Sequence, residues 1–166
     1  TTSYKYLGVL LDEFATFKNN TENLAKSGGR ALGGLISKIH SNKSIGFYTY
    51  EKMFLSGVVP ILDYCSGVWG HTKHYNIESV QLRALRYFLG VHRFTPILAI
   101  QGDSGWFPSF YRHQLNMLRL WNHLITMNDD RLTKLVFLWD LEKSNNQNWS
   151  HHDDVKRLLQ FLDMST

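Results

Sequence analysis

The hydrophobic period of this chain changes once, near residue 12, and that change limits what it can fold into. Residues 2–12, Thr2-Ser3-Tyr4-Lys5-Tyr6-Leu7-Gly8-Val9-Leu10-Leu11-Asp12, alternate large and small side chains as a strand does. Tyr4, Tyr6, Val9 and Leu10 are strand formers, and Gly8 marks a bend or a close backbone approach. Beyond that point apolar residues recur at a period of about 3.6, so helices are predicted for the rest. A lone strand opening a helical chain has no partner to hydrogen-bond with. It reads as the torn edge of a larger sheet, and the chain as the tail of something bigger.

The first helix is predicted from about Phe17 to Ile39, with Phe17, Leu24, Gly28, Ala31, Leu32, Leu35 and Ile39 on one face. Gly28, Gly29, Gly33 and Gly34 each weaken such a helix by roughly 1 kcal/mol relative to Ala. Either packing holds it, or the small residues admit another backbone. A loop around His40 to Gly46 leads to a helix from about Tyr48 to Tyr64, kinked or split near Gly57 and Pro60. A third helix, about Asn76 to Leu89, turns Ile77, Val80, Ala84, Tyr87 and Phe88 inward and stops at Gly90.

Thr95 to Gln101 reads as a short helix with Pro96 at its first position. A long helix from about Ser109 to Met127 follows, with Tyr111, Leu115, Leu118, Trp121 and Ile125 inward. Leu132, Leu135, Val136 and Trp139 mark another. Lys143 to Trp149 is a polar linker. Ser150 and Asp153 resemble the capped start of a last helix carrying Val155, Leu158, Leu159 and Leu162. The fold class is therefore mainly α, a helical bundle preceded by a single strand or small hairpin.

With 166 residues, 43% hydrophobic and 14% aromatic, the chain has enough apolar side chain for a core. Its formal net charge of +4 suits an anionic partner. A single cysteine excludes an internal disulfide and any multi-cysteine zinc site, and nothing argues for secretion. The most apolar stretch, Val58 to Trp69, is broken by Pro60 and Asp63 and falls short of the ~20 residues of a membrane span. No basic, hydrophobic leader opens the sequence. The reading is a soluble, intracellular protein of the nucleus or cytoplasm, with no membrane partner.

Three segments in order carry a family likeness. Tyr4-Lys5-Tyr6-Leu7-Gly8-Val9 with Leu11-Asp12 resembles the "YLG" strand that closes the palm in reverse transcriptases of LINE-type (non-LTR) retrotransposons. Val59-Pro60-Ile61-Leu62-Asp63-Tyr64-Cys65-Ser66-Gly67-Val68-Trp69 is similar to that family's "P-x-L-x-Y-x-x-x-x-W" helix. Ile77-Glu78-Ser79-Val80-Gln81-Leu82-Arg83-Ala84-Leu85-Arg86-Tyr87-Phe88-Leu89-Gly90 is similar to its "I-E-x-x-Q-x-x-x-L-R-x-x-L-G" segment. Together they cover roughly residues 3 to 140. The resemblance implies the end of a palm (1–15), a helical thumb and connection (16–142), and a polar linker with a C-terminal helix (143–166).

In the resembling enzymes the opening segment supports the primer's end, which makes Tyr4, Lys5, Tyr6, Leu7 and Gly8 the primer-grip-like residues. The alternative is that Tyr6, Leu7 and Val9 merely pack the palm against the first helix. A polymerase needs carboxylates that hold two divalent metals, and the resemblance implies that these lie upstream. The adjacent acidic pairs here, Asp12-Glu13, Asp129-Asp130 and Asp153-Asp154, sit on no strand–turn–strand pattern. Helix capping accounts for Asp129-Asp130. The chain as given has no catalytic residue and no cofactor of its own, and should not polymerise; the parent polymerase would need Mg2+.

Basic side chains make the binding case. Arg112, Asn116, Arg119 and His123 recur opposite the predicted apolar stripe of the long helix. Arg83 and Arg86 are neighbours on the third helix, and Lys26 and Arg30 on the first. Guanidinium groups in a row can follow a phosphate backbone, and equally such charges solvate the outside of a bundle. The family thumb holds an RNA–DNA template–primer duplex through backbone and shape, which implies that duplex as partner, with the missing palm and fingers.

Cys65, His71 and His74 have a tempting spacing for zinc, but a fourth ligand is wanting and a lone cysteine on an apolar helix suits a buried position. No metal site is assigned. Trp69, Trp106, Trp121 and Trp139 belong with apolar stretches and the core, while Trp149 is expected outside it. The competing reading is a helical protein-interaction module from a decayed or domesticated element. Its orphaned palm-facing surface would self-associate or bind a protein.

Overall fold

The computed structural model describes residues 3–41, 45–143 and 151–161. They are mainly α-helical, with one small antiparallel hairpin. Leu7 and Gly8 both take positive φ, 46° and 88°. Two such residues in succession make the tight turn whose twist matches a β-hairpin. Strand β1 (Ser3–Tyr6) thus folds back on β2 (Val9–Asp12), with Ser3 opposite Asp12 and Tyr6 opposite Val9. Of the single strand and the small hairpin expected at the start of the chain, the hairpin forms, and the lone, unpartnered strand is corrected because residues 9–12 pair with residues 3–6.

Asp12 ends the hairpin and organises the next turn. Its carboxylate accepts from the amides of Phe14, Thr16 and Phe17 and from the Thr16 hydroxyl, at 2.8–3.1 Å. The Thr16 amide leads in holding this carboxyl below its ordinary pKa, against an opposing desolvation; the Thr16 hydroxyl and the Phe17 and Phe14 amides add to the lowering.

The chain divides into two compact units, Thr1–Tyr64 with His74–Phe110, and Cys65–Lys73 with Tyr111–Thr166. The hairpin lies in the first, beside helix α1 (Lys18–Ser41), where Asn20 Oδ1 accepts from the Leu10 amide at 3.1 Å. Leu24, Gly28 and Leu32 are buried on α1 as predicted, while Ala31, Leu35 and Ile39 are half-buried. The next helix is split, as Pro60 leads one to expect. It forms α2 (Phe47–Gly57) and α3 (Val59–Leu62), because proline has no N–H to continue the ladder. Leu62 of α3 fills the space over Gly28, where a Cβ would stand 2.3 Å from its Cδ2.

Helix α5 (Tyr75–Leu89) packs across α1 and buries Ile77, Val80 and Ala84. Tyr87, predicted inward, is 36% exposed at its last turn. Gly90 stops the helix in a left-handed conformation, with the Val91 amide on the Arg86 carbonyl and its own amide on Tyr87. Helix α6 (Ile97–Ser104) follows Pro96.

Aromatic rings fill the centre of this unit: Tyr50 stacks on Phe88 at 4.7 Å and Phe54 on Trp106 at 4.8 Å. The buried Tyr50 hydroxyl donates to the Ala84 carbonyl at 2.8 Å, and burial raises its pKa. Glu78 and Gln81 of α5 hold the segment before the next helix. The Glu78 carboxylate accepts the Ser109 amide and hydroxyl at 2.7 and 2.6 Å, and Gln81 donates to the Phe107 carbonyl at 2.7 Å.

The second unit contains α4 (Ser66–Trp69), most of α7 (Ser109–Thr126), α8 (Leu132–Lys143) and α9 (His151–Phe161). Gly67 and Gly70 let α4 lie directly on α7, against Asn116, Leu120 and His113. Trp69 meets the His113 ring edge-on at 4.8 Å. Helix α7 buries a different face from the predicted one. His113 and Met117 are buried, while Tyr111, Leu115 and Ile125, predicted inward, are exposed. Leu118 and Trp121 keep a half-buried place beside the Met117, Val155 and Leu159 cluster.

Helix α8 departs further from expectation. Leu132, Leu135, Val136 and Trp139 face outward, and Lys134 and Phe137 are buried instead. The Lys134 ammonium donates to the Leu124 and Ile125 carbonyls at the end of α7, which otherwise lack helical partners. Cys65, expected buried, is exposed at φ 55° just before α4. The predicted linker over residues 144–149 with Trp149, the Ser150 cap and Leu162 lie outside the described residues.

Candidate nucleic-acid interface

The first two of the sequence motifs are structurally joined. The Tyr64 hydroxyl donates to the Leu7 carbonyl at 2.7 Å, and its ring covers Gly8, where a Cβ would lie 3.4 Å from Cε1. The primer-grip-like residues Tyr4, Lys5, Tyr6, Leu7 and Gly8 are all exposed. Tyr4 is 68% exposed and Tyr6 58%, so neither packs the hairpin onto α1. Val9 is buried, on the strand that lies against α1.

Of the predicted cations, the structure brings together Lys26 and Arg30 of α1 with Arg83 of α5. They line one open cleft of about 610 Å3, with Gly29, Asn76, Ser79 and Glu22 also on its walls. Lys26 and Arg30 lie one turn apart, and α5 crosses at the level that sets Arg83 beside Gly29. The Arg83 Nη2 donates to the Gly29 carbonyl at 2.9 Å, and Arg30 Nη2 to the Ser27 hydroxyl at 3.0 Å. Glu22 subtracts one charge from the cleft, which remains positive.

Arg86 does not join them. It is half-buried, and its Nε lies out of solvent with no hydrogen-bond partner among the described residues. This corrects its predicted place beside Arg83 on the outer face. In the second unit Arg119 and His123 are exposed on α7, and Arg112 is half-buried. Asn116 leaves their row, since its Nδ2 donates to the Ser66 hydroxyl at 2.8 Å. Asn76, Ser79 and Gly29 were not singled out from sequence as site residues. Asn76, Ser79 or Val80, and Arg83 do share one stripe of α5 by spacing, and that signal was available.

No group of three or more His, Cys, Asp or Glu side chains converges among the described residues. Asp12 spends its acceptors on the turn, and Asp154 lies 3.9 Å from His71 and 3.6 Å from Arg157. None of these carboxylates forms a pair of the kind that holds two ions. No helix among the described residues is long and apolar enough to cross a membrane. Comparison with protein-family models, with curated proteins and with solved structures finds no match to this chain.

Proposed function

We propose that this chain grips the backbone of a template–primer duplex through the α1–α5 cleft. In this reading it is the thumb region of a non-LTR retrotransposon reverse transcriptase, and the polymerase carboxylates lie outside it. One observation carries the proposal: Lys26, Arg30 and Arg83, from two helices far apart in sequence, line a single open cleft. Lysine and arginine neutralise a phosphate backbone, and arginine adds a permanent charge with several donors in a fixed fork.

The test is a fluorescence-anisotropy titration with an RNA–DNA hybrid at several salt concentrations. Two or three phosphate contacts predict that affinity falls roughly 10- to 40-fold between 50 and 200 mM salt. The triple variant K26A/R30A/R83A should lose most of that dependence. Unchanged binding and slope in the triple variant would sink the proposal.

A second reading, a protein-interaction module, draws on a different observation. Leu132, Leu135, Val136 and Trp139 form an exposed stripe along α8. Sedimentation velocity separates the two: concentration-dependent association abolished by L135E, without hybrid binding, would favour the second.

A further inference from the structure

Gly29 sits in the middle of α1, where glycine is a poor helix former relative to alanine. Its neighbours Gly33 and Gly34 have open space where a Cβ would be, so nothing in the fold requires them to be glycine. Gly29 differs. A Cβ there would meet one atom within 4 Å, the Arg83 Nη2, at 3.3 Å. That same nitrogen donates to the Gly29 carbonyl at 2.9 Å. A helical carbonyl has two lone pairs and gives one to the amide four residues on, so the second can accept a guanidinium. The group therefore rests against α1 over the position a methyl would take.

We propose that Gly29 is a positioning residue for phosphate recognition in the cleft. Lacking a side chain, it lets Arg83 rest on α1 and holds it by one hydrogen bond. The remaining N–H donors of Arg83 have no protein acceptor among the described residues, and they are left for a phosphodiester oxygen. An arginine fixed at one edge loses less freedom on meeting a ligand than one that is loose. The ligand class is an anionic backbone oxygen, shared with Lys26 and Arg30 on the same cleft. This inference rests on the duplex-binding reading.

The experiment compares G29A, R83A, G29A/R83A and G33A with the wild-type chain, using the same RNA–DNA hybrid and thermal melting. Alanine at 29 should keep or raise the melting midpoint, by up to about 2–4 °C, because it favours the helix. It should nonetheless weaken hybrid binding about 5- to 10-fold at 0.1 M salt and reduce the salt slope by about one contact. G33A should gain the same stability and bind as wild type. The double variant should bind no worse than R83A alone.

A merely structural glycine would not raise stability while lowering affinity. If R83A weakens binding but G29A keeps the wild-type affinity and slope, the positioning role is wrong and the cleft survives. If R83A itself binds as wild type, the cleft reading falls, and this inference with it.

Discussion

Replacing the glycines of α1 one at a time should change stability in opposite directions, although their local sequences look alike. Gly28→Ala places a methyl 2.3 Å from Leu62 Cδ2 and 3.0 Å from its Cγ. Leu62 is fully buried, so its rotamer cannot swing into solvent. Overpacking of this kind costs about 1–3 kcal/mol. The gain in helix propensity returns about 1 kcal/mol, leaving G28A less stable by about 1 kcal/mol. At Gly33 and Gly34 nothing lies within 4 Å, so G33A or G34A keeps the whole gain of about 1 kcal/mol.

The two classes should therefore differ by about 2 kcal/mol, or roughly 4–8 °C in melting midpoint for a chain of this length. Circular dichroism at 222 nm during thermal and urea unfolding reads this directly. A double variant sharpens the test. L62A alone should cost about 2–5 kcal/mol, but in the G28A background the new methyl occupies part of the vacated space. G28A/L62A should then be more stable than the sum of the singles requires. A G28A midpoint equal to that of G33A, or strict additivity in the double, would refute the packing argument.

Other consequences are open to measurement. The Asp12 carboxyl has a folded pKa below its unfolded value, so its stabilisation is present above about pH 4 and fades as pH falls through the folded pKa. D12N should be less stable than wild type at pH 7, with the gap closing below pH 4; a gap that widens in acid contradicts the assignment. K134M removes both donors to the end of α7 and should cost about 2 kcal/mol. Unchanged urea unfolding would show that another group satisfies Leu124 and Ile125. E78A strips the Ser109 amide and hydroxyl of their acceptor and should cost about 2–3 kcal/mol, with faster amide exchange at Ser109 as the local sign.

Helix positions were legible because apolar spacing, Pro60 and Gly90 act locally. The stop at Gly90 and the split beside Pro60 each follow from one residue's backbone chemistry. The hairpin was legible only as one of two options for the start of the chain, the other being a single strand. A Leu-Gly turn with Leu7 at positive φ lacks the Asn-Gly or Asp-Gly signature that announces such turns. The faces of α7 and α8 were misread for a different reason. Periodicity reveals a stripe but not which stripe finds a partner, and here His113 and Lys134 go inward while Leu115 and Leu135 do not. The cations Lys26, Arg30 and Arg83 were each visible in the sequence; their meeting depends on how α5 crosses α1, which local pattern does not encode.

The bond from Tyr64 to Leu7 has one more consequence. An isolated ribbon of four residues a side is at best marginal in water. This one is clasped at its tip by a phenol 57 positions further along the chain. Its stiffness is thus borrowed from the helices behind it. Any molecule that touches the outward Tyr4 and Tyr6 rings meets a surface whose firmness was set elsewhere.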